Sequence, residues 1–158
     1  KRSSYTLEWG GFGGDFKFLK FTGDWRYYYR AGKHNPVNTW AWNLVAGYAD
    51  GDMPLSQRFA MGGTDTLRGY EDDQFRGNSM LKATVEYRFP IVKKIEGVLF
   101  NDNGYAWDKR HEDHFDFGKI KSSVGLGLRI NSPLGPVKLD YGVGDDGGKF
   151  HFSFGGQF

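Results

Sequence analysis

Three side chains carry the most pointed chemistry in this sequence. Arg68 stands in a Gly- and Asp-rich stretch as Leu67-Arg68-Gly69-Tyr70, Glu86 lies on an alternating segment beyond it, and Asp102 sits within Phe100-Asn101-Asp102-Asn103-Gly104. A guanidinium presents five N–H donors in a planar fork, and a carboxylate accepts two of them side by side. An arginine in a loop, facing two carboxylates on neighbouring strands, is therefore suited to fastening that loop against a wall. The plainer assignment for Arg68 is a solvated loop cation. The pairing of the two motifs favours the latch.

Other chemistry is sparse. His34, His111, His114 and His151 lie in loops or alone on a strand, and only His111-Glu112-Asp113-His114 resembles a ligand cluster. Charged loop tips of that kind are ordinarily solvated, so no metal is expected. The acidic pair Asp145-Asp146 and the run Glu71-Asp72-Asp73 are accounted for by turn chemistry. No serine has a companion His and Asp in a workable order, no Gly-rich stretch sits between a strand and a helix, and basic residues are interspersed with acidic ones. Catalysis, a bound cofactor and nucleic-acid binding are thus not expected.

The elements that must position Arg68, Glu86 and Asp102 are strands. Period-2 alternation recurs about eight times between turn clusters, and no segment carries a helical stripe. The expected strands are Tyr5–Trp9, Lys17–Arg30, Thr39–Tyr48, Leu81–Phe89, Gly97–Trp107, Ser122–Asn131, Val137–Val143 and Phe150–Phe154. Between the third and fourth lies a connection of roughly thirty residues, Ala49 to Ser79, and a loop that long is ordinarily functional. In the later strands one face is apolar or aromatic, while the other holds Lys, Arg, Glu, Asp, Ser and Gly. The chain of 158 residues has 24 Gly, 14 Phe, 9 Tyr, 5 Trp and no Cys.

A soluble sandwich also alternates, with its apolar face turned inward. Three features favour lipid instead. The strands have the length that crosses a bilayer. Short connections (Pro90–Glu96, Ser132–Pro136) alternate with long ones (Ala49–Ser79, Asp108–Lys119), and aromatics gather at strand ends. The mean hydropathy of -0.60 does not oppose this, because one apolar face per strand averages out. The sequence opens at Lys1 without a signal segment, which suggests a mature form or an excised piece.

From about Tyr5 to Phe158 the chain resembles the C-terminal barrel half of the BamA/TamA-type outer-membrane assembly and translocation proteins, the bacterial surface antigen superfamily. That superfamily includes two-partner secretion transporters and patatin-type autotransporters. The resemblance rests on four stretches: Arg58-Phe59-Ala60-Met61-Gly62-Gly63 leading into Thr66-Leu67-Arg68-Gly69-Tyr70; Phe100-Asn101-Asp102-Asn103-Gly104; Gly127 to Pro136; and Phe150 to Phe158. It implies an all-β transmembrane antiparallel barrel in the Gram-negative outer membrane. It also implies a non-enzymatic role in protein insertion or translocation, with outer-membrane lipids and unfolded client proteins as partners.

Carried onto this chain, the resemblance folds the long loop into the lumen, where Arg68 meets Asp102 and Glu86. Gly69 then lets the loop tip turn sharply, Tyr70 completes the latch, and Phe100 and Gly104 belong to the wall motif, with Gly104 leaving room for loop backbone. Phe150, Phe152, Phe154 and Phe158 match the sorting signal of outer-membrane strands. Gly155 and Gly156 weaken the terminal strand at a lateral seam where client strands pair. Asn101 and Asn103 fit less well, since alternation puts them on the lipid face.

Residues 1–158 are read as one barrel domain without a POTRA segment. Eight strands close around a lumen that side chains alone fill, too narrow for a long loop. The latch therefore argues for half of a barrel of about sixteen strands, completed by a missing N-terminal half or by a second copy as a homo-oligomer, over eight strands that close alone and leave the loop outside. A passive pore, or an anchor for a passenger domain, is the alternative function.

Overall fold

The computed structural model describes residues 1–10, 17–32, 37–108, 116–133 and 135–155. Ten strands run through them: β1 (Arg2–Gly10), β2 (Phe18–Ala31), β3 (Asn38–Gly51), β4 (Phe59–Met61), β5 (Phe75–Gly77), β6 (Ser79–Val92), β7 (Ile95–Trp107), β8 (Lys121–Ser132), β9 (Gly135–Gly144) and β10 (Gly147–Phe154). Eight form one antiparallel sheet in the order β1-β2-β3-β6-β7-β8-β9-β10. Apart from the step from β3 to β6, across the long loop, chain neighbours are sheet neighbours, as in a meander. Among the described residues the sheet does not close, since β1 and β10 are its two edges. These strands are the eight that alternation marks, extended at most of their ends.

The remaining pair, β4 with β5, lies inside the long loop. Alternation gave no hint of it, because three-residue strands carry too short a pattern to register. A single turn of 3-10 helix (Leu55–Gln57) precedes β4. Tight connections join β6 to β7 and β8 to β9; in the first, Lys94 adopts a left-handed φ of 71°. In the second, Ser132 Oγ donates to the Gly135 carbonyl at 2.6 Å. The β9–β10 turn at Asp145-Asp146 is also short, although it lies at the end of the sheet that carries the long loop.

The two faces of the sheet are inverted relative to a soluble protein. Asp102 is 0% exposed and Glu86 1%, whereas Val124 and Leu126 are 54% and 59% exposed. The outer face is aromatic and aliphatic: Tyr5, Leu7 and Trp9 on β1, Phe21, Tyr27 and Tyr29 on β2, Trp40, Trp42 and Leu44 on β3, and the three phenylalanines of β10. Such a face is stable only against hydrocarbon. Aromatic clusters sit toward the strand ends. Trp40 contacts Tyr87 at 4.8 Å between ring centroids and Trp42 at 6.1 Å near the β2–β3 end, while Tyr105 stacks on Trp107 at 5.6 Å near the other. Rings with polar tips favour the two interfaces of a bilayer.

Asn101 and Asn103 do occupy the outer face, and their amides are turned on the protein. Asn103 Nδ2 donates to Asn101 Oδ1, and Asn101 Nδ2 donates weakly to the Ser123 carbonyl at 3.4 Å. Mutual bonding lowers the cost of placing amides beside lipid.

Leu126→Arg, at mid-strand on this outer face, should cost about 2–4 kcal/mol of folding stability in a bilayer. Denaturant unfolding of the full-length protein in liposomes measures it, and a cost near zero would mean that the face is not against lipid.

Candidate functional site: a charge network on the inner wall

Alternation along β6 points Lys82, Thr84, Glu86 and Arg88 inward, and along β7 it does the same for Phe100, Asp102, Gly104 and Ala106. Register sets Thr84 opposite Asp102 and Glu86 opposite Phe100. The two acids thus stand diagonally on neighbouring strands, within reach of one guanidinium. The loop brings that guanidinium. Its path is pinned by local bonds: Thr66 Oγ1 donates to the Gly62 carbonyl at 2.8 Å, the Gly63 N–H donates to the Leu67 carbonyl at 3.1 Å, and the Tyr70 N–H donates to the same carbonyl at 3.1 Å. Met61, Leu67, Tyr70 and Ala106 form a small apolar cluster with Phe75 and Met80. Burial of these side chains supplies the non-directional part of the attachment.

Arg68 is 4% exposed, and each of its three guanidinium nitrogens has a carboxylate partner. Its Nε and Nη2 donate to the two oxygens of Asp102 at 2.8 and 2.7 Å, a bidentate pair, and its backbone N–H adds a third bond to Asp102 at 3.2 Å. Nη1 donates to Glu86 Oε1 at 2.6 Å and lies 3.6 Å from Asp140 Oδ2. The guanidinium carbon sits 3.5 Å from the centroid of the Phe100 ring, a cation–π contact. Burial works against the charged form of Arg68. Its bonds to Asp102 and the fields of Glu86 and Asp140 outweigh that, so its pKa is raised.

The network extends past the residues that the motifs single out. Arg88 Nε donates to Glu86 Oε2 at 2.8 Å, Arg129 Nη1 donates to Asp140 Oδ1 at 2.6 Å, and Arg129 Nη2 lies 3.5 Å from Glu86 Oε1. Three arginines thus face three carboxylates across β6, β7, β8, β9 and the loop, and the formal charges balance. Asp140, Arg88 and Arg129 were visible in the sequence as polar members of alternating strands. Only their register across the sheet shows that they share partners with Arg68. Beside them lies a polar cavity of about 220 Å³, lined among others by Arg26, Asp65, Lys82 and Lys138. Lys82 Nζ donates to the Asp65 carbonyl at 2.8 Å, a further tie between wall and loop.

The glycines act only partly as the sequence suggests. Gly69 lies in the tight turn that the Tyr70 N–H closes on the Leu67 carbonyl, but without a left-handed φ. Its role is proximity, because a Cβ there would stand 2.5 Å from Gly144 N and 2.6 Å from Ser123 Cβ. On the wall, a Cβ at Gly142 would lie 2.4 Å from the Arg68 carbonyl oxygen. Gly104 is filled by the side chains of Met61 and Leu67 rather than by loop backbone. Tyr70 reaches the rim, where its hydroxyl donates to the Ser122 carbonyl at 3.1 Å.

Among the C-terminal residues, Phe150, Phe152 and Phe154 project outward and are exposed. β10 ends at Phe154, and Gly155 leaves it with φ 79° while its N–H donates to the Pro136 carbonyl at 2.8 Å. Gly156 and Phe158 lie outside the described residues, as does the His111–His114 cluster. Among the described residues no group of three or more His, Cys, Asp or Glu is placed to hold a metal.

Comparison with known proteins places this geometry in context. The Omp85 superfamily domain matches residues 2–158. Outer envelope protein 80, chloroplastic, of Arabidopsis thaliana is 33% identical over 134 residues, which is 80% of this chain and 18% of that protein. The outer membrane protein assembly factor BamA of Nitratidesulfovibrio vulgaris is 31% identical over 175 residues, 96% of this chain and 22% of the relative. The chain thus spans about a fifth of the curated relatives it matches. Among solved structures, BamA from Haemophilus ducreyi lacking POTRA domains 1-3 superposes with a TM-score of 0.77 at 18% identity, covering 96% of this chain and 37% of that one. CdiB from Acinetobacter baumannii gives 0.67 at 16%, covering 86% and 26%.

Arg68→Ala should destabilise the fold by about 3–5 kcal/mol, since it leaves buried carboxylates without their counter-charge. Arg68→Lys should recover less than half, because a single ammonium cannot serve both oxygens of Asp102 and also Glu86. Chemical denaturation of the full-length protein measures both, and equal stability of Lys and wild type would contradict the bidentate geometry. Gly142→Ala should dislodge the loop and expose residues 52–78 to trypsin, whereas an unchanged digestion pattern would show that the loop does not rest there.

Proposed function

The chain belongs to the Omp85 superfamily, and from that footing we propose that it forms the wall of a machine that inserts or translocates protein, with Arg68 as the latch of its loop. It is half of a transmembrane β-barrel, its place is the bacterial outer membrane, and it is not an enzyme.

The observation that carries the reading is the loop bonded across the inner wall through Arg68, Glu86 and Asp102. A passive pore needs an unobstructed lumen, and a buried arginine with three carboxylate neighbours is a costly way to obstruct one. A loop held in one conformation by a closed charge network suits a barrel that changes state during work. Arg68, Gly69 and Tyr70 on the loop, with Glu86, Asp102, Phe100 and Gly104 on the wall, hold that state and perform no bond chemistry.

The edges supply the rest. Open backbone edges are not tolerated in hydrocarbon, so β1 and β10 must find partners. We take the strands beyond β1 to come from a preceding part of the same protein, given how little of its relatives this chain spans. A second copy is the other source. The free edge of β10, with Phe150, Phe152 and Phe154 outward and Gly155-Gly156 after it, is then the seam, where unfolded outer-membrane client strands pair by β-augmentation.

Reconstitution of the full-length protein in liposomes with an unfolded client barrel tests the reading. Wild type should accelerate client folding, and Arg68→Ala should slow it by about tenfold, within the usual scale of coupling between sites. Conductance without accelerated folding would favour the passive pore. Mass measurement in mild detergent distinguishes one chain per barrel from two.

A further inference from the structure

Among the described residues β10 has a strand neighbour on one side only. Phe150, Phe152 and Phe154 stand on its outer face, and Lys149, His151 and Ser153 on its inner face. Two of those inner side chains are held by the loop. Lys149 Nζ donates to Glu71 Oε1 at 2.9 Å, and His151 Nε2 lies 2.8 Å from the Arg68 carbonyl oxygen. A carbonyl can only accept, so Nε2 carries the proton and donates. At the β9–β10 turn, Gln74 Nε2 donates to Asp146 Oδ2 at 2.8 Å and the Asp145 N–H donates to Tyr70 Oη at 3.3 Å.

These contacts are not equivalent. Lys149–Glu71 and Gln74–Asp146 are exposed, and exposed pairs contribute little. The His151 bond is partly buried and ends on the latch residue itself. Arg68 is therefore gripped twice: its guanidinium by β6, β7 and β9, its carbonyl by β10. Glycine at 142 is what lets that carbonyl come so close to the wall.

We propose that His151 is a positioning residue that couples the terminal edge strand to the Arg68 latch, so that β10 cannot shift in the lumen without pulling on the Arg68 peptide. Coupling of this kind is reciprocal: what loosens the latch loosens β10, and the reverse. The assignment rests on reading the loop as a latch, and it adds which residue transmits its state to the seam.

Hydrogen exchange by mass spectrometry on the full-length protein in liposomes tests it. His151→Ala should raise exchange about fivefold in residues 147–154 and also in residues 62–70, the factor expected for losing one ordinary hydrogen bond. His151→Gln, whose amide donor reaches a similar position, should restore protection in both segments. Lys149→Ala should affect residues 147–154 without touching 62–70, and Arg68→Lys should raise exchange in 147–154. The coupling is overturned if His151→Ala loosens β10 alone, if Gln is as loose as Ala, if Lys149→Ala reproduces the full effect, or if Arg68→Lys leaves β10 protected. Because exchange does not depend on client folding, shifted exchange in both segments from a protein that, as wild type, fails to accelerate client folding would count against the insertion reading while upholding the coupling.

Discussion

A buried guanidinium governs this structure. Arg68 is taken out of water, and a charge removed from water must be matched by opposite charge and satisfied hydrogen bonds or the state does not form. Asp102 takes the fork bidentately, Glu86 takes the remaining nitrogen, and Asp140 lies close behind. Those acids in turn require Arg88 and Arg129. The demand propagates to backbone: Gly69 and Gly142 lack side chains where loop and wall meet. Buried ion networks are poor sources of net stability, but they discriminate strongly between one arrangement and its neighbours. What Arg68 contributes is a single loop position rather than a large free energy.

The network exists because of the solvent outside the sheet. With hydrocarbon against one face, apolar side chains gain nothing by turning inward, and the polar members of each strand collect on the lumen side. Charges that would be scattered over the surface of a soluble protein are thereby concentrated on one concave wall, where they can bind a loop. The same inversion explains the exposed Trp and Tyr near the strand ends. It also explains why Asn101 and Asn103, which stand on the wrong side of it, turn their amides onto the protein: Asn103 donates to Asn101, and Asn101 to the Ser123 carbonyl.

The loop has an unusual position among the elements. Met61, Leu67 and Tyr70 give it a core of its own against Ala106, and β4 pairs with β5 within it. From there it touches β6 and β7 through Arg68, the β8 backbone through Tyr70, and β10 through its own carbonyl. Strands distant in sheet order are thus joined through one segment. In an open sheet whose edge strand has one neighbour, that added support falls where pairing is weakest.

Much of this was legible in the residues. Alternation identified the eight wall strands and which side chains share a face, because a side-chain period of two follows from backbone geometry alone. The joint motif of Arg68, Glu86 and Asp102 named groups that the fold brings within hydrogen-bonding distance. Alternation assigns faces, however, and says nothing of register between strands. Arg88, Arg129 and Asp140 could therefore be recognised as lumen-facing but not as members of one network. The β4–β5 pair, the proximity role of Gly69, the use of Gly142 and the bond from His151 depend on where a loop of non-local contacts comes to rest. The sequence by itself determined strands, faces and the charges available on each, since those follow from local period and side-chain chemistry. Which charges meet, and which strand ends the loop holds, only the tertiary structure decided, because sheet register and loop path are set by packing between segments far apart in the chain.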